Sequence, residues 1–169
     1  MITKLIHTGS AMNRGSTLVL RGVIVLIGLV VLAICTIALP AAIRAELADG
    51  RDFDYGYIFL GMYLSAVPFF VALYQTMKLL SYIDMDRAFS TVSVQALKTV
   101  KYCAATISAL YAAGMPYIFY VADRDDAPGV ALIGFVIIFA SFVIAAAVAV
   151  LQKLVEHAVA LKTENELTV

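Results

Sequence analysis

Apolar residues gather in four long runs, separated by short polar segments. The runs cover residues 18–39, 57–77, 102–121 and 130–151. A bilayer core is about 30 Å thick, and a helix crosses it in about 20 residues. Each run is therefore long enough to span. Helices are expected, because an isolated strand leaves its backbone groups unpaired in lipid. The polar alternation of a membrane barrel is missing. The fourth run does not stop at the membrane. Leu151, Leu154, Val155, Ala158 and Leu161 continue at helical spacing, with Gln152, Lys153, Glu156 and Lys162 between them. This predicts an amphipathic tail helix over 152–162. The expected fold is an all-α, integral membrane four-helix bundle forming one domain over residues 1–169.

Composition agrees with the pattern. Hydrophobic residues make up 63% and charged residues 14%, with a mean hydropathy of +0.95. A soluble domain is nearer half apolar and a quarter charged. The formal net charge is zero, which excludes a generally basic nucleic-acid binder. The two cysteines, Cys35 and Cys103, both lie in apolar runs. They exclude a disulfide-stapled secreted domain and a cysteine-based zinc site. The first run exceeds the 7–15 apolar residues typical of a cleaved signal, and no clean small-x-small site follows it. It is expected to be a retained span.

Lysine and arginine set orientation. Nine lie on one side: Lys4, Arg14 and Arg21, then Lys78, Arg87, Lys98 and Lys101, then Lys153 and Lys162. Three lie on the other: Arg44, Arg51 and Arg124. Both termini are therefore expected in the cytoplasm, and the protein in the inner membrane. The N-terminal arm, with Gly9, Ser10, Asn13, Gly15 and Ser16, is expected to be polar and irregular. Pro40 and Pro128 are placed at the outer ends of the first and fourth spans, where a helix can stop or start. Pro68 and Pro116 fall inside spans and are expected to kink them. Ser90 is an N-cap for a helix that leads into the third span, with Phe89 stapling onto Val94. Small residues recur at intervals of four: Gly61 and Ser65, then Ala105, Ala109 and Ala113, then Ser141, Ala145 and Ala149. Such rows let helices approach closely. Packing within the monomer is the expectation; a homodimer is the other use of the same faces.

Catalytic patterns do not appear. No Asp, Glu, Lys, Arg or His lies within residues 22–39, 57–77, 102–121 or 130–151, although ion-coupled transport usually needs such a group at membrane depth. His7 and His157 have no ligand-spaced partners, and no nucleophile–base pair or phosphate loop is recognisable. The carboxylates around Asp49–Asp54 and Asp123–Asp126 are interleaved with arginines and read as solvated loops. No cofactor and no metal are expected.

The sequence resembles a bacterial family labelled only as a domain of unknown function, family 2975. The resemblance rests on Ile83-Asp84, Ala88-Phe89-Ser90 and Ala96-Leu97-Lys98 in the inner loop, and on Asp125-Asp126-Ala127-Pro128-Gly129 before the fourth span. The third element is the tail from Ala158 to Val169, ending Leu-Lys-x-Glu-Asn-x-Leu-Thr-Val. The family implies four membrane helices. Its members are commonly encoded beside a small helix-turn-helix regulator, which implies a membrane partner or antagonist of such a regulator. It carries no known catalytic residues.

The expected protein is non-enzymatic and regulatory, with the lipid bilayer and a helix-turn-helix regulator as partners and no direct contact with nucleic acid. The alternative is a small transporter or channel subunit. Candidate partner-binding residues are Leu154, Ala158 and Leu161 on the tail, for affinity, and Asp84, Asp86 and Arg87 in the inner loop, for selectivity.

Overall fold

The computed structural model describes residues 2–48, 56–85 and 90–167. The described chain is helical: α1 (Ile2–Ala33), a π-helical turn (Ile34–Ala38), α2 (Leu39–Ala48), α3 (Gly56–Asp84), α4 (Thr91–Arg124) and α5 (Pro128–Leu167). Four of its helical stretches are long and apolar enough to cross a membrane: Thr17–Ala45, Gly56–Asp84, Thr91–Arg124 and Pro128–Asn165. The expected runs lie inside these helices, which extend beyond them. The expected Phe89 staple, Asp86, Arg87 and the carboxylates from Asp49 to Asp54 lie outside the described residues.

Two expectations about the first span need correction. The N-terminal arm is helical from Ile2, not irregular. Extending an existing helix needs no new nucleus, so scattered glycines and serines do not stop it. The helix also does not end at Pro40 but continues to Ala48. Proline has no N–H to give the preceding turn. The chain accommodates this with one wider turn just before it, in which the Leu39 N–H bonds to the Ile34 carbonyl. Such an insertion is a known way to absorb a break in the ladder.

Other boundaries follow local chemistry as expected. Ser90 is extended (φ −138°, ψ 157°), and its side chain accepts from the Ser93 N–H at 3.3 Å. Ser93 itself is fully buried. At the far end of α4, Asp126 takes a left-handed φ of 51°. The Ala127 N–H then reaches back to the Ala122 carbonyl at 2.9 Å, the bond that closes a Schellman-type stop. Pro128 opens α5, where its missing N–H costs nothing.

Neighbours in sequence are neighbours in space and run antiparallel. The principal packing sets α1 on α3, α3 on α4, and α4 on α5. A Cβ at Gly28 would come within 2.7 Å of Leu73 Cδ2, so α1 meets the Leu73 side chain of α3 tightly here and a larger residue would turn that side chain aside. A Cβ at Gly134 would likewise stand 3.3 Å from Met115 Sδ. Met115, Ile118, Ala122 and Ala131 form the core between α4 and α5, with Ile58, Val130 and Ile138 packed on it. The Ser108 hydroxyl donates across the same interface to the Ile138 carbonyl at 3.2 Å.

Most large apolar side chains point outward. Leu132, Phe139 and Phe142 are exposed along α5, as are Leu26 and Leu29 on α1. That is the surface a bilayer covers, since lipid tails are as apolar as leucine. The row Ala105, Ala109 and Ala113 is exposed too, so it packs no helix within the monomer, contrary to the intramolecular use expected for it. Ser65 is buried, while Gly61, Ser141, Ala145 and Ala149 are half-buried.

Candidate functional site

Among the described residues, polar contacts and free space gather at the basic end, along the seam between α3 and α4, and on the C-terminal part of α5.

At the basic end, α1 and α3 are tied by charge. Arg21 pairs with Asp84 at 2.8 Å and donates to the Ser81 hydroxyl at 3.0 Å. Arg21 Nε is buried without a hydrogen-bond partner. A second tie joins α4 to α5. The Lys101 ammonium donates to Gln152 Oε1 at 2.9 Å, and Gln152 Nε2 donates to Glu156 Oε1 at 2.7 Å. Lys101 also stands 5.1 Å from the centroid of the Tyr102 ring. Gln152 is buried, so this relay satisfies an amide that would otherwise be costly to enclose.

The tail residues singled out from the sequence fall on a continuous helix. Leu154 is 62% exposed and Leu161 67%, whereas Ala158 between them is half-buried. Asp84 belongs to the Arg21 pair and is only partly available to another molecule. The structure thus places Leu154, Ala158 and Leu161 on the C-terminal part of α5, which runs beside the first turns of α4, and Asp84 on a different helix, α3.

Sequence reasoning missed the cavities. A groove of about 550 Å³ is bordered by all four long helices, including Cys35, Ser65, Phe69, Ala104, Tyr111 and Ile144. No charged side chain lines it. α1 and α5 stand on either side of it without the extensive direct packing that closes a bundle, so the array is more open than expected. Towards the acidic end of the same α3–α4 seam lies a second cavity of about 300 Å³. Tyr57, Tyr111 and Tyr117 line it, and Gly61 and Gly114 create its space. Tyr57 and Tyr117 meet edge to face, with centroids 5.4 Å apart. Tyr111 borders both cavities, and its hydroxyl lies 3.5 Å from Ser65 Oγ. The available signal was Gly61 among the small residues; its counterpart Gly114 is identifiable only once the register of α3 on α4 is known.

Among the described residues, no three His, Cys, Asp or Glu side chains come together as metal ligands.

Residues 40–169 match the family described as Protein of unknown function (DUF2975). The chain belongs to this family. The match covers the inner-loop and tail motifs on which the resemblance rested. The chain is also similar to the Uncharacterized membrane protein YoaS of Bacillus subtilis (strain 168), with 53% identity over 160 residues. That alignment covers 94% of this chain and 100% of the relative. No solved structure matches the chain. The relative and the four apolar helices agree on a membrane protein.

Proposed function

We propose that this family member is a non-enzymatic inner-membrane protein that captures a cytoplasmic partner on the C-terminal end of α5. The observation that carries this reading is the length and surface of that helix. Its 40 residues extend about 60 Å, roughly twice the bilayer core. The excess carries Leu154 and Leu161 bare, at a spacing a partner helix can cover. The lysine and arginine bias puts this end in the cytoplasm, together with both termini. The partner class is the one the family resemblance implies, a small helix-turn-helix regulator held at or released from the membrane. The Arg21–Asp84 pair takes one acid out of the loop's contribution, so selectivity rests more on Asp86 and Arg87.

Transport remains the second reading, and the groove bordered by four helices is the observation in its favour. Its lining offers no carboxylate, histidine, lysine or arginine to couple to an ion gradient. Partner capture therefore has the stronger support.

The test is a pull-down from native membranes, with the regulator encoded beside the gene as the named prey. Full-length protein recovers it, and protein ending at Gln152 does not, while both remain membrane-inserted. Equal recovery by the truncated chain removes the tail from the reading. No recovery by the full-length chain removes the regulator. Reporter fusions at Arg87 and Asp125 check the orientation; an external Arg87 reporter contradicts it.

A further inference from the structure

The seam between α3 and α4 contains space that its packing does not explain. Helices in a membrane approach most closely where small residues meet. Gly61 and Gly114 both border the same cavity, yet neither has a heavy atom within 4 Å of where a Cβ would stand. Here the two glycines hold a cavity open, whereas Gly28 meets the Leu73 side chain of α3 tightly.

The walls of that cavity have a specific chemistry. Three tyrosines, Tyr57, Tyr111 and Tyr117, line one side of a half-open space bordered otherwise by aliphatic carbon and glycine, and Tyr57 at its mouth is 71% exposed. Aromatic faces carry negative potential and attract cations, quaternary ammonium groups above all. The surrounding charge favours the same sign of ligand. Among the described residues at this end Asp123, Asp125 and Asp126 are exposed, against Arg44 and Arg124, and the sequence between α2 and α3 adds Asp49, Asp52 and Asp54 against Arg51. Asp123 follows Tyr117 by six residues, about 9 Å along the axis of α4.

Below the tyrosines the seam continues into the apolar groove. Ile118, Gly114 and Tyr111 of α4 line the upper cavity; Tyr111, Ile107, Ala104 and Val100 line the lower one. These positions recur every three or four residues and so form one face of one helix. The two cavities are stacked along that face, and Tyr111 is the wall they share. An amphiphile entering from the acidic end meets rings first and hydrocarbon second.

We propose that the α3–α4 seam binds an amphiphile with a quaternary ammonium head, the head seated among Tyr57, Tyr111 and Tyr117 and the alkyl chain along the groove below. The site is independent of the partner surface on α5.

The experiment uses the full chain in nanodiscs of phosphatidylethanolamine and phosphatidylglycerol, which supply no choline headgroup. Radiolabelled dodecyltrimethylammonium is equilibrated with loaded and empty discs, and the empty-disc signal is subtracted. Saturable binding of one molecule per chain is expected. Gly114→Leu fills the open space beside the rings and weakens binding by about tenfold or more. Ala109→Leu, on the exposed face of α4, leaves binding unchanged and controls for disturbance of that helix. Dodecyl sulfate, of equal chain length and opposite charge, fails to compete. Binding no greater than in empty discs, binding insensitive to Gly114→Leu, or equal competition by dodecyl sulfate each overturns the proposal.

Discussion

The Tyr63 hydroxyl donates a 2.8 Å hydrogen bond to the backbone carbonyl of Cys35, 28 residues earlier in the chain. That carbonyl has lost its usual helical donors. In α-geometry it would accept from the Leu39 N–H, which instead bonds to Ile34. In π-geometry it would accept from residue 40, which is proline and has no N–H. Tyr63 on α3 thus supplies the bond that Pro40 removes from the first span, and in doing so fixes α1 against α3.

Removing the hydroxyl should therefore expose the defect. Tyr63→Phe is expected to destabilise the fold by about 1–2 kcal/mol, the usual cost of leaving a carbonyl unpaired out of reach of water. In a Pro40→Ala background the restored N–H gives Cys35 an alternative donor, and the cost should shrink towards zero. Reversible unfolding of the four proteins in mixed micelles measures this. An equal cost in both backgrounds contradicts the compensation.

Arg21 and Asp84 should be coupled, though modestly. Both side chains are about one-third exposed, so water and salt screen the pair. A double-mutant cycle with Arg21→Ala and Asp84→Ala should give a coupling of about 0.5–1 kcal/mol that falls as salt rises. Coupling indistinguishable from zero at low salt would mean that α1 is held by Gly28 and Tyr63 without help from charge.

Asp126 holds a left-handed backbone at the turn before α5. Glycine adopts that conformation freely, and a β-branched residue resists it. Asp126→Gly should leave stability unchanged or raise it by up to about 1 kcal/mol, whereas Asp126→Val should lower it by about 1–2 kcal/mol. Thermal unfolding in detergent ranks the three. Equal stability of the valine and glycine forms would show that the turn does not depend on this φ.

Ala109 and Asp125 separate membrane depth from loop. Ala109 is exposed on the middle of α4, facing lipid, so Ala109→Asp loses no internal packing. It should still cost about 2.5–3.5 kcal/mol on insertion. Asp125→Ala changes a side chain at an exposed turn and should leave the folded fraction nearly unchanged. Quantifying membrane-inserted protein distinguishes them; equal losses would give the acidic turn a structural role.

Features set by neighbouring residues were legible in the sequence. The four spans follow from apolar run length, the Ser90 cap from a hydroxyl before a helix, and the start of α5 from Pro128. Features set across helices were not. The turn at Ile34–Ala38 depends on Tyr63, and Asp84 looked like free loop charge because its partner Arg21 is 63 residues away. Ala105, Ala109 and Ala113 looked like an internal packing row, yet their direction depends on how α4 turns between α3 and α5. The tyrosine cavity needs the register of two helices before Gly61 and Gly114 can be seen to face it.

The most direct test of the central claim is the affinity of the neighbouring helix-turn-helix regulator for the protein in nanodiscs, with and without Leu154→Glu and Leu161→Glu together. Both leucines are exposed, so the double variant should stay folded and inserted. Replacing two apolar anchors of about 2 kcal/mol each predicts a loss of affinity of roughly 1,000-fold. Unchanged affinity in the double variant would contradict the assignment of partner capture to α5.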